Sequence, residues 1–271
     1  GLGARPLRLA GGVIEASLCY TGDVSDPSRT KYSLQYYVDL AGQLVDLGIH
    51  ILNIKDMAGL LKPRAARMLV GALRRAHPDV PIHVHTHDTA GTGVASMIAC
   101  AEADADVVDL ALPAMAGLTS QPTMAAVLGA LHGTERDTAI DTDALQSLNT
   151  YWESTRGLYQ PFETGLYGYA PDLYEHEIPG GQYTNLRFQA TALGLADRWA
   201  SIKRAYAQAN RILGDLIKVT PSSKVVGDMA LMMVTSGLSE EDILDPKKDI
   251  AFPDSVISFF RGEIGQPVGG F

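Results

Sequence analysis

Cysteine is nearly absent: the 271 residues contain two, Cys19 and Cys100. Two isolated thiols make neither a CxxC pair nor a disulfide framework, so a reducing compartment is expected and both read as small buried hydrophobes. Positive charge is short as well. Lys and Arg number 22 against 31 Asp and Glu, a formal net charge of −9. That balance excludes the basic face that nucleic-acid binding needs, and charge-driven attachment to an anionic membrane. No apolar run approaches the ~18 residues of a membrane span. The opening "GLGARPLRLAGG" has no initiating Met and no apolar leader core, so no signal peptide is expected. No internal repeat or low-complexity tract is present.

What is present suits one large globular unit or two small ones: 46% hydrophobic and 20% charged residues. The first half alternates two periods. "GGVIEASLCYTG" reads as a strand. "TKYSLQYYVDLAGQLVDLG" has apolar residues at helical spacing, with Gly48 placed to end the helix. "IHILNIKD" is a strand, "PRAARMLVGALRRAH" a helix with Pro63 in its first turn, "PIHVHTHD" a strand, "GVASMIACAEA" a helix, "DVVDLAL" a strand and "QPTMAAVLGALHG" a helix. Such alternation predicts a parallel sheet with helices outside, and the run "IHILNI" predicts strands covered by apolar groups on both faces. Parallel strands are expected near 12–20, 49–55, 82–87 and 106–111. After about residue 140 helical text dominates, interrupted by the polar, Gly/Pro-containing "EHEIPGGQYTN", which reads as a loop. The expected domains are 11–140, the β/α part, and 141–271, the helical part. An eight-unit β/α barrel takes ~250 residues, so the β/α part is either an open sheet or part of a barrel.

Three stretches could carry chemistry. His83, His85 and His87 alternate along one strand, so they can share a face, with His87 nearest the C-terminal end where β/α sheets place reactive groups. Two imidazoles from one strand suit zinc or another first-row divalent ion; the plainer alternative is the polar face of a half-buried strand. Lys55 and Asp56 end the preceding strand. A desolvated Lys55 amine could react with carbon dioxide to give an anionic carbamate with oxygen donors; the plainer alternative is a lysine reaching to solvent. In "IKVTPSSKVVGDMA", Thr220 and Pro221 read as a helix cap and first-turn pair, which places Ser222, Ser223 and Lys224 at a helix N-terminus. A hydroxyl there can also pass a proton.

Taken together, "CYTGDVSDPSRTKYSLQYY", "IKDMAGLLKP", "HVHTHDTAGTGVASM", "LTSQPTM", "YWESTRGLY", "EIPGGQYTNL" and "GDLIKVTPSSKVVGDMA" resemble, in the same order, the carboxyltransferase domains of pyruvate carboxylases, from about Gly11 to Phe271. The resemblance implies an α/β fold: a partial TIM (β/α) barrel lacking its first strands, followed by a C-terminal helical region. It implies a ligase half-reaction in which pyruvate, as an enolate on a divalent metal (Zn, Mn or Co), takes up CO2 from carboxybiotin to give oxaloacetate. It implies Lys55, as a carbamate, with His85 and His87 as metal ligands, and His83 as a structural residue. Thr220 is implied as the proton shuttle, and Ser223 and Lys224 as biotin-side residues. The implied partners are pyruvate or oxaloacetate, a biotin carboxyl carrier domain absent from this chain, and further copies in a homo-oligomer. The implied place is the cytoplasm, or the mitochondrial matrix in a eukaryote. The alternatives are the α chain of a biotin-dependent oxaloacetate decarboxylase and a non-catalytic binding or oligomerisation module.

The sequence departs from the family's pattern in places. The family's earlier strands, with "TTFRDAHQS"-like and "FRVFD"-like text, supply a metal-binding aspartate and the anchors for pyruvate, and neither text occurs here. Nor is there a biotin-bearing "AMKM" or an ATP-binding glycine-rich loop. The chain alone is therefore expected to bind metal weakly, to self-associate and not to turn over. Asp104 stands where the family usually has glycine; aspartate tolerates a left-handed backbone, so little effect is expected.

Overall fold

The computed structural model describes residues 4–266. The chain divides into two compact units, Gly1–Pro171 and Asp172–Phe271. In the first, a short helix α1 (Ala4–Leu9), which the sequence reading left unassigned, precedes β1 (Glu15–Cys19). Then come α2 (Leu34–Asp46), β2 (Ile51–Lys55), α3 (Pro63–Ala76), β3 (Ile82–His85), α4 (Gly93–Glu102), β4 (Val107–Val108), α5 (Met124–Leu131) and α6 (Thr142–Arg156). The strands pair in chain order and every pair is parallel. Among the described residues the sheet is open: β1 and β4 are its edges.

Local chemistry sets the element ends. The Ser33 hydroxyl accepts the Tyr36 N–H at 3.2 Å and caps α2, which Gly48 terminates at φ +75°. Pro63 occupies the first turn of α3, where a missing N–H costs nothing. Asp104, just past α4, adopts φ 71°, the left-handed conformation expected of that position. The fourth strand is shorter than the expected 106–111. Beyond Val108 the chain leaves the ladder, Ala111 bridges Thr123 instead, and Pro113 has no N–H to offer.

The expectation of apolar cover on both faces is corrected. Leu18, Leu52, Ile54, Ile82 and Val84 alternate onto one face, are fully buried, and share the core with Leu69, Leu73 and Met97 of α3 and α4. Each such side chain contributes ~1.5–3 kcal/mol of burial. The residues between them, Glu15, Asn53, Lys55, His83 and His85, lie on the other face. The run "IHILNI" looked continuous because Ile51 sits beside Leu52, but its period of two places Asn53 and Lys55 with Ile51 on the polar side.

The second unit is helical: α7 (Leu173–His176), α8 (Gly180–Ala192), α9 (Trp199–Ile212), α10 (Ser222–Ser236), α11 (Glu240–Leu244) and α12 (Asp254–Phe260). Its core joins Ile202, Tyr206 and Ala209 of α9 to Val225, Val226, Met229 and Met233 of α10. The "EIPGGQYTN" loop is also a correction. Ile178 is fully buried and Gly180 opens α8, which buries Tyr183, Leu186 and Ala190 at helical spacing. The units part at Pro171 rather than at the change of rhythm near residue 140, because α6 packs back on the first unit: Asn149 Oδ1 accepts the Ala114 N–H at 2.7 Å.

Candidate functional site

The polar face of the sheet ends in a cluster of titratable groups. Lys55 closes β2 directly opposite His85 at the end of β3. His87 follows two residues later, in the βα loop, with its ring centroid 5.3 Å from that of His85 and nearly perpendicular to it. Lys55 is near enough to His87 for its charge to act on the imidazole.

The loops around this cluster are built to hold it. The buried Asp56 carboxylate is saturated. Oδ1 accepts the Gly59 and Leu60 N–H groups at 3.0 and 2.9 Å, and Oδ2 accepts Leu61 N–H at 2.9 Å and Thr86 Oγ1–H at 2.7 Å. Asp56 therefore knots the loop after Lys55 to the residue between the two histidines. Asp88, equally buried, accepts the Gly93 N–H at 2.8 Å at the start of α4. Burial raises its pKa, with the Gly93 N–H and the Tyr169 hydroxyl opposing. A Cβ at Gly93 would lie 2.5 Å from Pro122 Cγ and 2.8 Å from Asp88 Oδ1, so glycine is required there.

The three histidines differ in what their nitrogens do. His85 Nδ1 meets Asp109 Oδ2 at 2.7 Å, and His87 Nδ1 meets the Thr119 carbonyl at 2.7 Å. Both partners are acceptors, so each Nδ1 carries a proton, and in the neutral ring Nε2 is the nitrogen with a lone pair to offer. Metal-ligating histidines show this pattern: the second nitrogen donates to a carboxylate or carbonyl, which fixes tautomer and ring orientation. Burial lowers the His87 pKa, the His85 and Lys55 charges add to that, and the Thr119 carbonyl opposes it; the neutral, ligating form is favoured. His83 has no such lone pair on offer. Its Nδ1 faces Glu15 Oε1 at 3.1 Å and Asn53 Nδ2 at 2.9 Å, and its Nε2 faces Asp109 Oδ1 at 2.9 Å. Burial would lower its pKa, but the Asp109 and Glu15 carboxylates together outweigh that and raise it. The Asp109 pKa is lowered: burial works the other way, and its bonds to His83 and His85 outweigh it.

Among the described residues no three His, Cys, Asp or Glu side chains gather so as to hold a metal ion. Lys55 is the residue in register with His85. Sequence reasoning missed Asp109 and Glu15. Asp109 lies two residues past Val107, the register partner of His83, so period-two counting along "DVVDLAL" was the available signal.

Thr220, Ser223 and Lys224 lie together in the second unit. Thr220 is not the helix cap the sequence suggested: Pro221 holds that position, after a cis peptide bond, and no side chain caps α10. The Ser222 hydroxyl instead bonds back to the carbonyls of Ile217 and Val219, and Thr220 is exposed. Ser223 is buried, and the exposed Lys224 pairs with Asp228 one turn on. Behind Thr220, Lys218 is 2% exposed and its ammonium meets Glu177 Oε2 at 3.1 Å. That pair ties the "EIPGG" turn to the segment bearing Thr220.

Residues 16–151 match the HMGL-like family and residues 173–271 match a conserved carboxylase domain. The chain is 56% identical over 272 aligned residues to pyruvate carboxylase 1 of Caenorhabditis elegans, and 55% identical over 272 to the mitochondrial pyruvate carboxylase of Homo sapiens. Both alignments cover 100% of this chain and 23% of the relative, so the chain spans about a quarter of their length. The carboxyl transferase domain of Rhizobium etli pyruvate carboxylase, solved with pyruvate and biocytin, matches with a TM-score of 0.96 at 48% identity, over 98% of this chain and 45% of that one.

Proposed function

The chain belongs to the HMGL-like family and, along its length, to the carboxyltransferase domains of pyruvate carboxylases, and from that premise we propose that it carries the carboxyl-transfer half of a biotin-dependent carboxylation. CO2 released from carboxybiotin joins the methyl carbon of pyruvate, which gives up a proton, and the product is oxaloacetate. The observation that carries the reading is the paired tautomer arrangement: His85 and His87, at one strand end and 5.3 Å apart, both keep Nε2 for a ligand.

His85 and His87 would hold a divalent ion with Lys55, whose neutral amine adds carbon dioxide, loses a proton and becomes an anionic carbamate. Imidazole nitrogen and carboxylate-like oxygen suit a first-row ion such as Zn, Mn or Co. The ion supplies a Lewis acid for charge developing on the substrate's oxygen. The Asp56 knot and the Asp88–Gly93 bond hold the loops that carry the donors. Thr220 moves the proton between the pyruvate methyl and the biotin ring. Ser223 and Lys224 flank the biotin. Carboxybiotin is delivered by a biotin carboxyl carrier domain, and the assembled enzyme is a homo-oligomer. The compartment is the cytoplasm, or the mitochondrial matrix in a eukaryote; the human, rat and mouse relatives are mitochondrial by name. Among the described residues no helix is long and apolar enough to cross a membrane.

The test is pyruvate release from oxaloacetate by the full-length protein with free biotin. His87→Ala and Thr220→Ala each lower kcat by about 10²–10⁴. Turnover of Thr220→Ala at the wild-type rate removes Thr220 from the reaction; unchanged turnover of His87→Ala removes the metal reading.

A further inference from the structure

The third histidine, which the proposed chemistry does not use, stands in a chain of four groups across the polar face of the sheet. Glu15 on β1 meets His83 Nδ1 at 3.1 Å, His83 Nε2 meets Asp109 Oδ1 at 2.9 Å, and Asp109 Oδ2 meets His85 Nδ1 at 2.7 Å. Asn53 closes the near end, donating to Glu15 Oε1 at 2.8 Å. Glu15 lies on β1, His83 and His85 two residues apart on β3, and Asp109 just past the end of β4, so the chain runs sideways across the ladder rather than along it.

We infer that His83 is a positioning residue: anchored on Glu15, it holds Asp109, and Asp109 fixes the His85 ring with Nε2 as the ligating nitrogen. The inference rests on the metal reading above. An aspartate with a single partner keeps rotation about its side-chain bonds, and a ligand hung on it moves with it. Asp109 has both oxygens engaged by imidazoles two residues apart on one strand, so its carboxylate plane is set by two points. His83 cannot serve as a third ligand in this arrangement, because both its nitrogens face carboxylate oxygens. His87 needs no such device, since its Nδ1 partner is a backbone carbonyl, already fixed by the fold. The two ligands thus differ: one is oriented by main chain and the other by a side-chain relay that mutation can break at several points.

The experiment measures Co2+ affinity of the full-length protein, stripped of metal by a chelator, from the visible absorption of the bound ion. The His85→Ala/His87→Ala double variant serves as the blank. Asp109→Ala weakens Co2+ about 10–100-fold and His83→Phe about tenfold. His83→Gln, whose amide can still donate to Asp109, recovers most of that loss. In the Asp109→Ala background, His83→Phe changes affinity by less than about twofold, because its route to the metal is already cut. A merely structural His83 gives instead the same loss in both backgrounds, which overturns the inference. If His83→Phe does not fold, Glu15→Gln at the outer end of the relay decides: about threefold weaker in the wild-type background and unchanged in Asp109→Ala. Equal Co2+ affinity in wild type and Asp109→Ala overturns the inference and leaves the metal reading standing. No Co2+ signal above the blank in the wild type overturns both.

Discussion

His176 is a histidine that folding keeps neutral, and acid should expose it. It ends α7, 3% exposed, with Nδ1 accepting the Ile178 N–H at 3.1 Å and Nε2 buried without a hydrogen-bond partner. Burial depresses its pKa to about 4; Asp172, 3.8 Å away, opposes this, and Lys203, which pairs with Asp172, adds to it. The unfolded chain protonates the same side chain near the ordinary 6.5. The folded value is the lower of the two, so the contribution to stability is complete above pH 6.5 and is lost as pH falls toward 4. Between about pH 7.5 and pH 5 the loss is ~2 kcal/mol, from the ratio of the two titration curves. The two tryptophans are Trp152 and Trp199. Trp199 packs on Tyr183, whose ring lies 5.7 Å from His176, so in a Trp152→Phe background its fluorescence reports unfolding at this position. Urea titrations at the two pH values should show the ~2 kcal/mol loss with His176 present. The loss should be absent in His176→Asn, which keeps an acceptor for Ile178 and removes the titration. Equal pH dependence in both proteins would refute the argument.

Asp56→Ala strands the Gly59, Leu60 and Leu61 N–H groups, while the Thr86 hydroxyl keeps the His87 carbonyl; at ~1 kcal/mol or more each it should cost about 3 kcal/mol or more, read as a fall in Tm of roughly 6 °C or more. Gly93→Ala drives a methyl against Pro122 and Asp88 and should cost ~1–3 kcal/mol by urea denaturation; a neutral result would mean the α4 start yields easily. Asp104→Gly should be more stable than Asp104→Ala by ~1 kcal/mol, since only glycine adopts φ 71° without penalty; equal midpoints would contradict this. Glu177→Gln leaves the Lys218 ammonium buried with Asp215 at 3.8 Å as its nearest remaining carboxylate, and should cost ~3–5 kcal/mol by the same assay.

The features the sequence disclosed are those that depend on neighbours in the chain. Gly48 ending α2, Pro63 opening α3 and the left-handed Asp104 are local, and the alternation of periods is enough to order four parallel strands. Lys55 opposite His85 also follows from counting strand ends. Asp109 was hidden because its meaning depends on register: 24 residues and a helix separate it from His85, and period-two counting gives its face only once Val107 is known to pair with His83. The "EIPGG" stretch misled for a related reason. Proline and glycines commonly mark loops, but Pro179 also precedes a helix naturally, and the burial of Ile178 is decided by packing within the second unit. Thr220–Pro221 carries a capping signature, but Pro221 takes the cap position and no side chain caps the helix, the Ser222 hydroxyl bonding back to the Val219 carbonyl.

The division of the sheet by parity has a consequence for insertions and deletions. Substitutions at His83 or His85 touch the site, and substitutions at Val84 touch the core, but each leaves the other set in place. Losing or gaining one residue inside β3 exchanges the two sets, sending imidazoles under the helices and Val84 to the polar face. Both the ligands and the core then fail at once, and no compensating substitution at one position restores either. The strands of this chain should therefore hold their length through divergence while individual residues change. Length variation should gather in turns such as 77–81, where a residue more or less does not alter which way the next strand's side chains face.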